Sequence, residues 1–427
     1  MRRVATSANT TLRGLALARH YRAVRALSVR LCEPLITEDY VVQSMPDVSP
    51  TKWHLAHTTW FFETFVLARA ERAFKPYNEA FAYLFNSYYH AVGPRHPRPQ
   101  RGLLTRPPVG EVYAYRHAVD QRMDALFADI DALNDELGAI IEIGIHHEQQ
   151  HQELILTDIK HVLWCNPLRP AYHEREESAD GEAILPLAWH ELPSGVCEIG
   201  FAGEGFCYDN ELPRHVVMLH GGEIASRLVT NGEYMAFLAD GGYEHPELWL
   251  SEGWTAVGEN GWCAPLYWER DGDAWRHFTL HGMERVPVNA PVTHVSLFEA
   301  DAYARWAGAR LATEAEWEVA ASDAAIAGNF VESGRLAPAP VVNTTDDAKP
   351  LQMFGDVWEW TASPYVGYPG YRPPEGAIGE YNGKFMCNQF VLRGGSCATS
   401  RAHIRPTYRN FFPPHARWQF SGIRLAR

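Results

Sequence analysis

The chain has 427 residues, of which 46% are apolar and 21% charged, so its composition is that of a globular protein and its length suits two or three domains. Its formal net charge of −14 argues against a nucleic-acid partner, because duplex-binding proteins carry a basic stripe. The seven cysteines, an odd number without any Cys-x-x-Cys spacing, argue against a disulfide framework or a zinc knuckle and favour a reducing, cytoplasmic location.

The first part of the chain carries the periodicity of amphipathic helices. Residues 12–31 are apolar but interrupted by five arginines, which predicts an amphipathic helix rather than an export signal or a membrane span. Residues 51–69 follow a proline, a residue that often begins a helix. Residues 120–137 and 140–164 repeat apolar side chains at helical spacing, with Gly138 as a weak interruption. We expect these segments to form a helical bundle.

Two stretches lack a regular pattern. Residues 85–108 are rich in proline, glycine and arginine and predict a long loop, and long loops inside compact domains are usually functional. Residues 171–188 are acidic and irregular and predict a linker. We therefore predict an α+β multidomain chain, with a helical domain over residues 10–170 and a second domain over residues 189–427.

The second domain is predicted to combine short strands with few helices, because strand-like runs alternate with turns rich in Gly, Pro, Asn and Asp. Predicted strands cover residues 196–200, 215–219 and 390–394, and predicted helices cover residues 231–238, 296–307 and 314–321.

A pair of histidines in the last bundle helix is the strongest chemical feature. His147 and His151 lie four residues apart, so they share one helix face and can bind one metal ion. With Glu148 they also match the H-E-x-x-H pattern of zinc hydrolases, in which the glutamate activates water. The helical wheel turns Glu148 away from that face, so we expect it to be dispensable as a base. A hydrogen-bonded core pair and a zinc hydrolase are the alternatives.

A third metal ligand is expected from another bundle helix. His54 and His57 lie three residues apart, and their spacing does not choose between them. Three neutral imidazoles suit iron, copper, nickel or zinc. On octahedral iron they would leave three positions open, which is enough room for substrates.

Arginines cluster at two places in this acidic chain, which suggests small anionic ligands such as carboxylates, with surface ion pairs as the alternative. One cluster comprises Arg95, Arg98, Arg101 and Arg106, and the other comprises Arg393, Arg401, Arg405, Arg409, Arg417, Arg424 and Arg427.

Longer motifs resemble those of two known protein families. The segment SPTKWHLAHTTWFFE at residues 49–63, together with HEQQH at 147–151, resembles the sulfoxide synthases of ergothioneine biosynthesis. RLATEAEWE at 310–318, GDVWEW at 355–360 and RGGS at 393–396 resemble the formylglycine-generating-enzyme family. The resemblance covers essentially the whole chain. It implies a DinB-like four-helix bundle followed by a C-type-lectin-like domain of the formylglycine-generating-enzyme type.

The resemblance also implies a metal site and a reaction. Its motif positions correspond to His57, His147 and His151 as ligands of Fe(II), with O2 as co-substrate. The implied substrates are the small molecules hercynine and cysteine or γ-glutamylcysteine, and the implied product is hercynylcysteine S-oxide. A selenium- or ovothiol-directed relative on the same scaffold, a zinc hydrolase and a lectin-like binding module remain as alternatives. Neither a nucleic acid nor a membrane is an expected partner.

Further site residues are implied by the same resemblance. The loop around Tyr88 and Tyr89 resembles a subgroup with paired active-site tyrosines, whereas another subgroup places its catalytic tyrosine in the C-terminal domain. Two kinds of substrate contact are expected. Polar side chains hold the imidazole and the carboxylates of the substrates, and aromatic rings attract the quaternary ammonium of hercynine. The expected contacts are Arg95, Arg98, Gln150, Asn410, Phe411 and Phe412.

Overall fold

The computed structural model describes residues 2–129, 133–175, 185–341 and 349–427, with the backbone alone for residues 2–13 and 377–378. The chain divides into two units, of which the first comprises Met1–Asn166 with Gly376–Tyr381 and the second comprises Pro167–Glu375 with Asn382–Arg427. Residues 376–381, which the sequence analysis includes in the C-terminal domain, thus group with the first unit. Residues 176–184 of the predicted linker lie outside the described residues. Among the described helices, none combines the length and apolarity needed to cross a bilayer.

Helices make up most of the first unit. Their bounds are Arg2–Arg30 (α1), Thr51–Phe61 (α2), Ala68–Ala70 (α3), Phe81–Leu84 (α4), Val109–Ala128 (α5) and Asp135–Cys165 (α6), with 3-10 turns at Thr37–Val41 and Arg98–Leu103. A π-helical turn, Phe62–Leu67, joins α2 to α3. Helices α5 and α6 each contact both α1 and α2, which gives a four-helix bundle.

The predicted helix over residues 120–137 is wrong as a single element. Helix α5 ends at Ala128, and α6 begins only at Asp135. The Asn134 side chain accepts a hydrogen bond from the backbone N–H of Leu137 at 2.8 Å, which satisfies a donor that the first turn of α6 leaves unpaired. This cap starts a new helix at a place where the apolar pattern of the sequence continues without a break. Gly138 lies inside α6 rather than at its start.

Helices α2 and α6 approach each other closely at Gly144. A Cβ atom at Gly144 would lie 2.6 Å from Cε1 of Phe62 and 2.8 Å from Cε1 of Phe61, so only glycine fits without displacing an aromatic ring. Gly144 lies one turn before His147 on α6. The close approach therefore sets the distance between the two helices that carry the candidate metal ligands.

Short strands in four small sheets characterise the described part of the second unit. Their bounds are Trp189–Glu191 (β1), Ser194–Ile199 (β2), His215–His220 (β3), Glu223–Ala225 (β4), Trp268–Asp271 (β5), Ala274–Thr279 (β6), Gly282–Arg285 (β7), Arg310–Leu311 (β8), Trp358–Pro364 (β9), Phe390–Arg393 (β10), Asn410–Phe412 (β11), Ser421–Gly422 (β12) and Leu425–Ala426 (β13). The sheet orders are β1-β4-β13-β8, β11-β10-β9-β12, β2-β3 and β5-β6-β7. All described pairings are antiparallel except β12 with β9. The β5-β6-β7 meander was not predicted from the sequence.

The helices of the second unit are Asn231–Ala239 (α7), Ser251–Asn260 (α8), Leu297–Trp306 (α9) and Glu314–Ala321 (α10). Capping boxes begin three of them, with Thr230, Ser296 and Thr313 as the N-cap residues. These three helices were predicted from the sequence. Helix α8 was not, because its N-cap residue is Leu250, whose side chain cannot accept the capping hydrogen bond that marks the start of a helix.

Several C-terminal arginines are buried ion-pair partners rather than a cluster open to ligands. Arg393 contacts Glu314 and Glu318, at 3.1 and 2.9 Å. Arg424 contacts Glu359 at 2.7 Å, and both side chains are only 1% exposed. The expectation that these arginines recognise small anions is wrong for Arg393 and Arg424, because each guanidinium already neutralises a carboxylate in the core.

The contact at Gly144 yields a matched pair of substitutions within α6. We expect Gly144→Ala to lower the free energy of unfolding by about 1–3 kcal/mol, because the new methyl group overpacks the interface with Phe61 and Phe62. Gly138→Ala meets no heavy atom within 4 Å. We expect it to stabilise the protein by about 0.5–1 kcal/mol through helix propensity alone. Urea unfolding of the two variants measures both effects, and equal shifts would contradict the packing argument.

Candidate metal centre

Two bundle helices bring three histidines together. His57 lies on α2, and His147 and His151 lie on α6. One nitrogen from each ring lies within 4.8 Å of the others, and all three side chains are buried. The Nε2 atoms of His57 and His147 are 3.1 Å apart. The three histidines expected as metal ligands thus converge on one point, and their binding of a metal stays a prediction.

His57 is held in one orientation by its neighbours. Its ring lies between those of Trp53 and Trp60, with centroid distances of 4.6 and 5.5 Å and interplanar angles of 13° and 16°. Its Nδ1 lies 2.6 Å from the carbonyl oxygen of Phe85, which can only accept a hydrogen bond, so Nδ1 carries the proton. The other nitrogen, Nε2, is therefore the one that faces His147 with a lone pair.

Burial keeps the three imidazoles uncharged. It is the largest cause that lowers the pKa of each ring below its ordinary value of 6.5. His147 lowers the pKa of both His57 and His151 further, and the pKa of His147 itself falls to about 3. At neutral pH all three rings are neutral, which is the form in which imidazole binds a metal.

The donor set limits which metals fit. It consists of three nitrogen donors, and no cysteine or carboxylate belongs to the group among the described residues. Three neutral imidazoles suit iron, copper, nickel or zinc and are a poor match for magnesium or calcium, which prefer oxygen ligands. The residues present therefore fit a first-row transition metal.

Glu148 is a structural anchor and does not face the histidine group. Its carboxylate contacts Arg25 at 3.0 Å, accepts a hydrogen bond from Ser28 Oγ at 2.6 Å, and forms a second ion pair with Arg116. Burial raises the pKa of the Glu148 carboxyl, but Arg116 and Arg25 outweigh that effect and lower it to about 2. A carboxylate with two arginine partners is a weak base, so the zinc-hydrolase alternative lacks its general base.

A tyrosine group borders the histidines. Tyr88 and Tyr89, the two expected catalytic tyrosines, have ring centroids 4.8 Å apart. The ring of Tyr381 lies 6.0 Å from that of Tyr88 and 5.7 Å from that of His147. The Tyr381 hydroxyl donates to Oε1 of Gln150, one of the expected substrate contacts. The sequence analysis did not single out Tyr381, because almost 300 residues separate it from Tyr88 in the chain.

Hydrogen bonds to the side chain of Glu380 attach the Tyr381 segment to the loop over residues 85–108. The Glu380 carboxylate accepts from the N–H groups of His90 and Ala91, at 2.9 and 2.8 Å. These contacts explain why Gly376–Tyr381 belongs to the first unit. In the sequence, this segment is distinguished by a Glu-Tyr pair that follows two glycines. Such a pair is too common to predict a contact with the loop.

The arginines of the same loop differ in their surroundings. Arg95 and Arg98 are exposed and donate to backbone carbonyls, those of Ser87 and Asp47. Neither has an ion-pair partner among the described residues. Arg101 is buried, lies 3.3 Å above the Trp53 ring and donates to two serine hydroxyls. The expected role of Arg95 and Arg98 in carboxylate binding stays a prediction.

The remaining expected substrate contacts lie on β11 of the second unit. Asn410 Oδ1 accepts the N–H of Phe411 at 2.9 Å. The Phe411 ring stacks on Tyr365 with a centroid distance of 4.0 Å, and Phe412 meets Trp418 edge-on at 5.8 Å. Aromatic packing thus accounts for both phenylalanines in this unit, and their role towards a substrate stays a prediction.

Family models match both parts of the chain. The model of the DinB superfamily matches residues 20–155. The model of the Sulfatase-modifying factor enzyme 1-like domain matches residues 190–347 and 348–427. These matches confirm the predicted fold class, a DinB-like helical domain followed by a domain of the formylglycine-generating-enzyme type.

Curated relatives match over nearly the whole chain. The hercynine oxygenase of Mycolicibacterium thermoresistibile is 34% identical over 413 residues, which cover 89% of this chain and 88% of the relative. The hercynine oxygenase of Mycobacterium tuberculosis is 33% identical over 436 residues, which cover 96% of this chain and 98% of the relative. A formylglycine-generating enzyme of Streptomyces coelicolor is 31% identical but covers only 48% of this chain and 77% of the relative.

The ion pairs of Glu148 separate its structural role from a catalytic one. We expect Glu148→Gln to lower the free energy of unfolding by about 3 kcal/mol, because it leaves Arg25 and Arg116 buried without a counter-charge. Metal stoichiometry should be unchanged. Glu142→Gln is the control, since Glu142 lies on the same helix and has no ion pair among the described residues. Thermal unfolding and metal analysis measure the two effects, and a stable Glu148→Gln protein that no longer binds metal would contradict this assignment.

The difference in stability between the wild type and Glu148→Gln should depend on pH. The pKa of Glu148 lies at about 2 in the folded protein, against an ordinary value of 4.5. Its contribution to stability is therefore complete above about pH 4.5 and is lost as the pH falls towards 2. The difference in stability between the wild type and Glu148→Gln should narrow over that interval, and a constant difference would show that the carboxylate charge is not the cause.

Proposed function

The chain belongs to the hercynine oxygenase family, and from that premise we propose that it is a non-haem Fe(II) sulfoxide synthase of ergothioneine biosynthesis. It joins hercynine to cysteine, or to γ-glutamylcysteine, with O2 and releases hercynylcysteine S-oxide. The observation that carries the proposal is the buried group of three neutral histidines, His57, His147 and His151. A single face of three nitrogen donors leaves room for substrates beside the metal, as a reaction between two substrates and O2 requires.

The ligand roles follow from the arrangement of the three rings. His57, His147 and His151 would hold the metal, and Fe(II), when bound there, would supply O2 activation and keep the substrate thiol as a thiolate. The surrounding tryptophans exclude water from the His57 side of the site, since Trp53 and Trp60 are almost completely buried. A dry site strengthens every electrostatic interaction with a charged substrate.

The proton donor of the proposed reaction is a tyrosine. Burial raises the pKa of Tyr88 above its ordinary value of 10.0, and hydrogen bonds with Tyr89 and Tyr381 only partly offset it. Tyr88 therefore keeps its proton at neutral pH and can donate it from a fixed place. Tyr381 approaches His147 and contacts Gln150, so we propose that the donor is Tyr88 or Tyr381, with Tyr89 supporting Tyr88 through their hydrogen bond.

Substrate recognition is proposed to use the loop that follows the tyrosines. Arg95 and Arg98 are exposed arginines with no carboxylate partner among the described residues, so either can bind the carboxylate of the thiol substrate. Gln150, which accepts from Tyr381, would bind the imidazole or carboxylate of hercynine. Asn410, Phe411 and Phe412 are proposed as further contacts, with the aromatic rings facing the quaternary ammonium.

Product analysis tests the function directly. We expect the aerobic Fe(II)-loaded protein to convert hercynine and cysteine into hercynylcysteine S-oxide, identified by mass, with consumption of O2. We expect a higher kcat/KM for cysteine than for γ-glutamylcysteine, because the second carboxylate of the longer thiol needs additional cationic contacts. The Zn(II)-loaded protein is the control and should form no sulfoxide. Hydrolytic activity with Zn(II), or no reaction of the Fe(II) protein with either thiol, would contradict the proposal.

Single substitutions identify the proton donor. We expect Tyr88→Phe or Tyr381→Phe to divert the reaction from C–S bond formation towards simple oxidation of the thiol. Without the proton donor, the substrate sulfur is the nearest group that can accept oxygen. The expected loss of sulfoxide is about 10²-fold or more, the usual size for a general acid. Tyr83→Phe is the control, because Tyr83 is exposed and its ring makes a T-shaped contact with that of His96, away from the histidine group. An unchanged product ratio in both variants would place the donor elsewhere.

A further inference from the structure

His54 connects one candidate metal ligand to a buried carboxylate. Its Nδ1 lies 2.8 Å from Nδ1 of His151, and its Nε2 lies 3.1 Å from Oδ2 of Asp158. All three side chains are buried. Asp158 Oδ2 also accepts the backbone N–H of Ser49 at 2.8 Å, next to the start of α2. The carboxylate is therefore fixed between α6 and the beginning of α2, and His54 is fixed between the carboxylate and His151.

The chemistry of this row assigns its protons when both imidazole rings are neutral. The Asp158 carboxylate can only accept, so a neutral His54 carries its hydrogen on Nε2 and donates it to Asp158. Nδ1 of His54 is then an acceptor. His151 must donate to it from Nδ1, and the hydrogen-free nitrogen of His151 is Nε2. With the opposite polarity, His151 would carry its hydrogen on Nε2 and would have no lone pair for a metal.

We propose that Asp158 and His54 are positioning residues that hold His151 in the tautomer whose Nε2 can bind the metal. This inference rests on the proposed metal centre and adds to it the device that prepares one ligand. It also gives His54 a role other than binding the metal. The spacing of His54 and His57 in the sequence did not decide which of the two is the ligand. His54 acts through His151 and does not itself touch the metal or the substrates.

The other two ligands differ from His151 in what borders the ring nitrogen that faces away from the metal. His57 obtains its tautomer from the backbone carbonyl of Phe85. Nδ1 of His147 has no hydrogen-bond partner among the described residues, so no group on that side of the ring selects its tautomer. His151 faces a second histidine, which can either donate or accept, and only the carboxylate beyond His54 decides which. Partners of this kind orient metal ligands and raise their basicity.

Metal titration of the full-length metal-free protein tests the proposal, with Co(II) and Zn(II) as probes. We expect His54→Leu to weaken binding by about 10- to 100-fold, the usual effect of removing such a partner. His54→Asn should retain more affinity than His54→Leu, because its side-chain oxygen can still accept from Nδ1 of His151. His117→Asn is the control, since His117 lies exposed on α5 and contacts Gln121 rather than the histidine group or Asp158. Equal affinity in His54→Leu and the wild type would overturn the inference.

A spectroscopic readout makes the test independent of mutant folding. In the metal-free wild type with 15N-labelled histidine, we expect the nitrogen shifts to show the proton of His151 on Nδ1 and that of His54 on Nε2. The reverse pattern, in a wild type that still binds Co(II) or Zn(II) on titration, would overturn the inference alone. If the wild type binds neither Co(II) nor Zn(II), the proposed metal centre itself fails. Thermal unfolding of each metal-free variant shows whether a loss of affinity comes from a loss of fold.

Discussion

Burial of three uncharged imidazole rings against one another is the constraint on which the rest of the first unit depends. A charged ring in this group would lose its hydration and repel its neighbours, so burial lowers the pKa of each ring. Neutral rings carry one lone pair each, and the direction of that lone pair depends on where the proton lies. The neighbouring groups fix this choice for His57 through a backbone carbonyl and for His151 through His54.

The same helix keeps charge away from this group. Successive residues on a helix point in directions about 100° apart, so His147 and Glu148 face different neighbours. Glu148 meets Arg25 and Arg116 in a buried network, whereas His147 meets other aromatic and imidazole rings. The H-E-x-x-H pattern therefore has a different meaning here from its meaning in zinc hydrolases. Its histidines suit metal binding, and its glutamate holds the bundle together.

The sequence predicted the features that depend on local pattern and missed those that depend on distant contacts. Helical spacing was enough to pair His147 with His151, but the choice of His57 over His54 required the family resemblance, because both residues are buried on α2. The break before Asp135 was missed, since a capping side chain outweighs apolar periodicity there. Tyr381 was missed because its place beside His147 depends on the folding of a segment far along the chain.

The composition of the metal shell tests the central claim most directly. X-ray absorption of the full-length protein, loaded anaerobically with one equivalent of Fe(II), counts the imidazole rings bound to iron. The account predicts three imidazoles in the wild type and two in His57→Ala. It also predicts three imidazoles in His54→Asn, whose iron site differs from that of the wild type only in occupancy. An iron shell without three imidazoles in the wild type, or one that His57→Ala leaves unchanged, would contradict the assignment of His57, His147 and His151 as the iron ligands.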